Sequence, residues 1–192
     1  MKMKILTQNF KNKIISILLG LDGRVTFSDY VWKDVRIQPE YWSKRLVFIY
    51  RLGRINLYYS KKNSFRKKIW RKIYLHLNIK VVEGKLNSHV PASAYIGQGT
   101  KFFHPYNVII NSHSYIGGNS VLRHNVTIGN LGKGSQDSPR IEYGASFGSG
   151  SALIGPIHIG HHSKIGSNAV VTKSFPDNAV IVGIPGKNIR KD

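Results

Sequence analysis

From Ile141 onward a large apolar residue returns at every sixth position: Ile141, Phe147, Leu153, Ile159, Ile165 and Val171. Four places after each of the first five comes a small or apolar residue: Ala145, Ser151, Ile157, Ser163 and Ala169. Glycine often follows the apolar position directly, as in Phe147-Gly148, Ile159-Gly160 and Ile165-Gly166. Two earlier blocks share this grammar. One runs Ile110, Ile116, Leu122, Ile128 with Ser114, Ser120 and Val126; the other runs Val90, Ile96, Phe102 with Ala94, Thr100 and Tyr106. A period of six fits neither an α-helix nor a plain amphipathic strand. It predicts a solenoid with three short strands per coil and about 18 residues in each coil. The apolar residue points inward, the small residue shares the narrow interior, and the glycine eases the turn to the next face. The phase slips between Phe102 and Ile110, at a His-Pro step. It slips again between Ile128 and Ile141, where the Gly- and Ser-rich stretch 130–140 leaves the coil as a loop. Loops that leave a rigid solenoid are natural places for a site.

The preceding half reads differently. Lys44 to Tyr59 and Ser64 to Val81 mix Lys and Arg with large apolar residues at spacings of three and four, which predicts two helices. Ser64 is the expected N-cap of the second. There Phe65, Ile69, Ile73 and Leu77 fall on one stripe with Trp70 and Tyr74 beside it, and Arg66, Lys67, Lys68, Arg71 and Lys72 lie mainly around the other side. Such a stripe suits packing against the rest of the subunit or against a neighbour. A basic amphipathic helix with an interfacial Trp also suits an anionic membrane surface. The expected division is a basic, mostly helical region over 1–87 and a solenoid over 88–192, with the loop 130–140 and a C-terminal cap.

Charge sharpens that division. The chain has 192 residues and a formal net charge of +20, and residues 1–89 alone hold 20 basic and 5 acidic side chains. A field of this sign attracts nucleic acid, anionic membranes or acidic polymers. No nucleic-acid recognition motif accompanies it and the basic half has no regular array of stacking aromatics, so nucleic acid is not an expected partner. With no cysteine, disulfides, thiolate metal sites and a Cys nucleophile are excluded. The longest apolar run, Ile14 to Leu21, is short of the roughly 20 residues that span a bilayer. Lysines precede it as in a leader, but Asp22-Gly23-Arg24 follows in place of a small-residue cleavage site. The expected location is the cytoplasm, with peripheral contact to the inner face of a membrane.

Several segments carry a resemblance: Phe103-His-Pro-Tyr-Asn-Val-Ile-Ile110, Asn125-Val-Thr-Ile-Gly-Asn130, Ser138-Pro-Arg-Ile141, and the closing stretch from Val171 to Lys187. Over 88–190 the chain resembles the hexapeptide-repeat acyltransferases, most closely their serine acetyltransferase branch. The resemblance implies a mainly β fold, a left-handed parallel β-helix behind an N-terminal helical region. It also implies acetyl-CoA as donor, a homotrimer, and sites in clefts between subunits. Two departures stand out. Phe103-His104 replaces the Asp-His of serine acetyltransferases, and Asp137-Ser138-Pro139 replaces their Arg-His-Pro. The missing Arg is the natural bidentate clamp for an amino-acid carboxylate, and Asp would repel one. The chain thus looks more like acetyltransferases of capsule, exopolysaccharide or O-antigen synthesis, whose acceptor is a glycan or lipid-linked glycan. Serine O-acetylation for cysteine biosynthesis is the first alternative, and a non-enzymatic module for membrane or nucleic acid the second.

Acetylating a hydroxyl needs a base and an oxyanion donor. Histidine suits the first task because its ordinary pKa, about 6.5, lies near working pH. Backbone N–H groups on a glycine-rich coil suit the second. His104 lies at a phase slip and matches the family's catalytic position, so it is the expected base. His113 and His124 follow as secondary candidates. His161-His162 lies at a turn and reads as solvated, with contact to the cofactor as the alternative. These histidines show neither the close spacing nor the acidic partner of the three-histidine metal sites found in some left-handed β-helices, and no metal is expected. For acetyl-CoA, the resemblance implies Ser149 and Ser167 along the pantetheine arm, Thr172 and Lys173 at the nucleotide end, and Gly183, Pro185, Lys187 and Arg190 closing the groove.

Overall fold

A computed structural model describes residues 26–59, 65–132 and 137–190. The leader-like stretch and the expected N-cap Ser64 lie outside the described residues. The solenoid is a left-handed parallel β-helix. Its strands are β1 (Tyr95–Ile96), β2 (Lys101–Phe102), β3 (Ile109–Ile110), β4 (Tyr115–Ile116), β5 (Val121–Leu122), β6 (Thr127–Gly129) and β7 (Arg140–Ile141), then β8 (Ser146–Phe147), β9 (Ala152–Ile154), β10 (His158–Ile159), β11 (Lys164–Ile165), β12 (Val170–Val171), β13 (Val180–Val182) and β14 (Lys187–Asn188). They stack into three sheets ordered β1-β4-β7-β10, β2-β5-β8-β11-β13-β14 and β3-β6-β9-β12. All pairs are parallel except β13 with β14, a hairpin that forms the C-terminal cap.

The sixfold pattern is the interior. Ile96, Phe102, Ile110, Ile116, Leu122, Ile128, Ile141, Phe147, Leu153, Ile159, Ile165 and Val171 are all buried, and the register stacks like on like, as in Ile96 on Ile116 and Ile116 on Ile141. Ala94, Thr100, Ser114, Ser120, Val126, Ala145, Ser151, Ser163 and Ala169 are buried beside them. One expected inward residue is on the wrong side. Tyr106 is 39% exposed, and Val108 is buried in its place. The His104-Pro105 step inserts residues at the corner, so the inward position comes two residues late.

The glycines after the apolar positions do a different job from the expected one. A side chain at Gly97, Gly117, Gly148 or Gly160 would run into backbone of the next coil, so these positions permit close stacking. The left-handed corners lie elsewhere. One corner column holds Gly99, Asn119, Gly144, His162 and Asn178, all with positive φ, and another holds Asn87, Asn107, Asn125, Gly150 and Asn168. Asn is the side-chain-bearing residue that tolerates this region best. The second column is also tied vertically, Asn87 Nδ2 donating to Asn107 Oδ1 (2.7 Å) and Asn107 Nδ2 to Asn125 Oδ1 (2.9 Å).

The helical region begins with Ser28–Trp32, running into α1 (Lys33–Arg36); α2 (Tyr41–Arg54) continues as Ile55–Tyr59, and α3 (Phe65–Leu77) as Asn78–Glu83. It seals the open end of the β-helix. The first coil has no coil below it, so its outward N–H and C=O groups need other partners. Polar side chains of the helices supply them. Tyr50 donates to Ala94 O (2.8 Å) and accepts from Ile96 N (2.9 Å). Arg51 donates to Ile96 O (2.8 Å) and Gly97 O (3.0 Å) while its Nε donates to Asp34 (2.7 Å), whose other oxygen accepts from Gly99 N (2.9 Å). Gln38 donates to Thr100 O (2.8 Å) and accepts from Phe102 N (3.0 Å). Burial pushes the Tyr50 phenol well above its usual range, against the opposing pull of Arg51 and Arg54.

Of the readings open for the predicted stripe on α3, packing of the whole stripe on its own subunit is not what the fold shows. Trp70, Tyr74 and Leu77 lie against the core, whereas Phe65, Ile69 and Ile73 face outward. Tyr74 is held where its hydroxyl accepts from Ala92 N (3.3 Å), and that contact sets which side of the helix turns inward.

The Asp34–Arg51 pair is buried on both sides, so removing one partner leaves an uncompensated charge. Arg51→Met should destabilise the chain by about 3–5 kcal/mol, read as a lowered Tm in thermal unfolding. A Tm within a degree or two of the parent would show that the seal does not depend on this pair.

Candidate active site

Register brings part of the expected set into one line. Lys101 pairs with Val121, Val121 with Ser146, Ser146 with Lys164 and Lys164 with Val180. Three residues beyond each of these strand positions stand His104, His124, Ser149, Ser167 and Gly183. They form a single vertical column at the corner between the second and third sheets. The His104 and His124 rings are 6.3 Å apart, edge to face, and His124 Nδ1 is 3.5 Å from Ser149 Oγ.

His104 opens this column and is 66% exposed at its side chain. Its φ of 51° places it in the left-handed region, turned out of the coil. The acidic partner that Phe103 fails to supply comes from the helical region. Glu40 Oε1 lies 3.1 Å from His104 Nδ1 and also accepts the His104 backbone N–H at 3.1 Å. Glu40 occupies the N-cap position of α2 but makes no side-chain cap bond there, so its carboxylate is left for the coil. Glu40 is itself extended (φ −127°, ψ 160°), and the helix begins at the next residue, Tyr41. With Nδ1–H donating to Glu40, the free lone pair is on Nε2. Sequence reading missed Glu40 because nothing local links it to a histidine 64 positions on.

The other candidates fall elsewhere. His113 sits at the opposite edge of the third sheet, with Nδ1 3.2 Å from Ser112 Oγ, and is not brought to His104 within one chain. His161 and His162 are exposed at the remaining corner. Thr172 and Lys173 are exposed directly after β12, on the same edge as His113, with Lys173 Nζ 5.7 Å from the Phe175 ring centre. Pro185, Lys187 and Arg190 belong to the cap hairpin, where Arg190 donates to Asn178 O at 2.9 Å and Gly186 N donates to Val170 O at 2.7 Å. The cofactor set is therefore split. Ser149, Ser167 and Gly183 line one edge of the third sheet, and Thr172 and Lys173 the other.

Between these edges a groove of about 380 Å³ crosses the outer surface of the third sheet, floored by Ile109, Thr127 and Ile154 and flanked by His89, Asn111 and Asn130. The loop returns beside it. Ser138 Oγ donates to Asn111 Oδ1 (2.8 Å), and Asp137 Oδ2 is buried with no hydrogen-bond partner among the described residues. Among the described residues no three His, Asp or Glu side chains converge as a metal site would require.

No family model matches the chain. A curated relative does: a putative colanic acid biosynthesis acetyltransferase, WcaB of Escherichia coli K12, is 33% identical over 145 residues, covering 74% of this chain and 89% of the relative. The chain belongs to the hexapeptide-repeat acyltransferases. As an acetyltransferase of that family it shares its fold with serine acetyltransferase from Brucella abortus strain S19, at a TM-score of 0.70 and 21% identity over 85% of this chain and 68% of that one. A serine acetyltransferase solved in complex with CoA aligns at a TM-score of 0.60 and 23% identity, over 76% of this chain and 57% of that one. Among the described residues no helix of the acetyltransferase is long and apolar enough to cross a membrane.

Proposed function

We propose that the chain moves acetyl from acetyl-CoA to a hydroxyl of a bacterial surface glycan, with His104 as general base and Glu40 as the group that orients it. The observation that carries this reading is the Glu40–His104 contact at the foot of the corner column. The acceptor hydroxyl gives its proton to His104 Nε2 as its oxygen attacks the thioester carbonyl. The oxyanion is met by a backbone N–H of the coil. When the C–S bond breaks, the imidazolium returns the proton to the departing CoA thiolate, and Glu40 steadies the imidazolium between these steps. No covalent enzyme intermediate is needed.

Acetyl-CoA is assigned as donor from the family and from the relative solved with CoA. Ser149, Ser167 and Gly183 would follow the pantetheine upward from His104. Small residues let the arm lie flat, and Lys173, Lys187 and Arg190 suit the phosphates. These groups lie on two edges of one sheet, so a cleft between copies would join one subunit's His104 edge to a neighbour's Lys173 edge. A homotrimer with three such clefts answers that split. The reaction belongs in the cytoplasm, where the donor is made.

The glycan reading is favoured over serine by two residues. Phe103 stands where the sequence resemblance puts the acidic neighbour of the histidine in serine acetyltransferases. By the same resemblance Asp137 stands where serine acetyltransferases carry the Arg that would clamp a carboxylate, and an acidic side chain makes no such clamp. The naming of the colanic acid relative points the same way. The likeness to serine acetyltransferase structures supports the fold and leaves the acceptor open to test.

His104→Asn keeps a residue that accepts positive φ and removes the base, so kcat should fall by roughly 10²–10⁴-fold with Tm and the KM for acetyl-CoA little changed. Glu40→Ala should lower kcat by about tenfold or more, again without a large change in KM. Lys173→Ala should do the reverse, raising the KM for acetyl-CoA about tenfold. A folded His104→Asn enzyme with near-normal turnover would remove His104 as the base. A screen of serine against sugars, oligosaccharides and lipid-linked glycans should show CoA release with a glycan and little with serine. Efficient serine turnover with every glycan inert would reverse the assignment.

A further inference from the structure

We propose that the outer face of α3 rests on an anionic lipid surface, holding the enzyme against a membrane. The proposal goes beyond acetyl transfer and does not depend on it. The face is defined by what packs on the other side. Trp70, Tyr74 and Leu77 turn toward the core, and no residue of α3 is fully buried. Opposite them Phe65 is 75% exposed, Ile69 42%, Ile73 37% and Leu75 42%, and Ile79 in the following turn is 60% exposed. A row of large apolar side chains standing in water is costly to leave uncovered.

The charges around the row choose its occupant. Arg66, Lys68, Arg71, Lys72 and Lys80 are all exposed, interleaved with the apolar residues, and Phe65–Leu77 contains no acidic side chain. Long cationic side chains among apolar anchors suit an interface where hydrocarbon lies below and phosphate around it. An acidic polysaccharide would use the cations and leave Phe65, Ile69 and Ile79 in water. A second copy of the same face would bring these cations against one another. An anionic bilayer answers both the apolar row and the charge.

The test uses the full chain and vesicles of phosphatidylcholine alone or mixed with phosphatidylglycerol. Co-sedimentation is expected with the anionic vesicles at low salt, weakening as salt rises, and not with phosphatidylcholine alone. Lys68→Glu/Lys72→Glu should weaken partitioning by about 30-fold, taking roughly one kcal/mol per cation lost. Ile69→Glu/Ile73→Glu should weaken it by about tenfold or more, through the lost apolar anchors. Should either double variant unfold, Phe65→Asp changes the most exposed position of the row and should also weaken binding. Three results would overturn the proposal. One is no binding of the parent chain to anionic vesicles at low salt. Another is folded variants that all bind as the parent does, which would assign the interaction to another part of the chain. The third is a fall in assembly mass by light scattering on Ile69→Glu/Ile73→Glu, which would show that a second copy covers the face.

Discussion

A stack of β-coils has an unfinished edge at its first layer. Every coil above β1 and β2 hydrogen-bonds downward to its predecessor, but the backbone from Ala92 to His104 has no coil beneath it. The helical region is built around that deficit. Arg54, Tyr50, Arg51, Asp34, Gln38 and Glu40 meet the coil in turn, from Ala92 at one end to His104 at the other. The cost of leaving these groups dry and unpaired would exceed what most single packing contacts return. The polar face of α1 and α2 is accordingly as much a part of the fold as the apolar ladder.

The candidate site inherits this arrangement. Glu40 is the last side chain in the series, and the backbone N–H it satisfies belongs to His104 itself. The same oxygen reaches the imidazole. One carboxylate thereby closes the open edge of the β-helix and fixes the ring. In serine acetyltransferases, by the resemblance drawn from sequence, an acidic residue stands immediately before the histidine. Here Phe103 stands there, and the acid arrives from a different element.

What the sequence made legible follows from how local each feature is. The interior ladder repeats every six residues and depends only on spacing, so Ile141 to Val171 could be read directly and all are buried. The error at Tyr106 arose where the spacing changed, since a phase slip gives no sign of which residue absorbs it. Which face of α3 turns inward was left open for a different reason. Its apolar residues surround the helix more widely than one stripe, and only the Tyr74 contact with the first coil decides the orientation. His104 could be named as a candidate from its motif. Its partner could not, because Glu40 looks like an ordinary helix start until the chain is folded. The vertical alignment of His104 with Ser149, Ser167 and Gly183 was also hidden, since the intervening loop breaks the numerical period on which such an alignment could be seen.

The corner column doubles as a ruler. Neighbouring strands in a sheet are about 4.8 Å apart, so each coil raises the next corner residue by a fixed step above His104. The thioester end of a donor and its nucleotide end are separated by a length that chemistry sets. A chain that gained or lost one coil between His104 and Gly183 could keep every core contact of its type and still misplace one end of that donor. Repeat proteins commonly change by adding or dropping units. On the proposed placement of the donor, the count of coils above the histidine becomes a dimension of the site, a constraint that no core contact records.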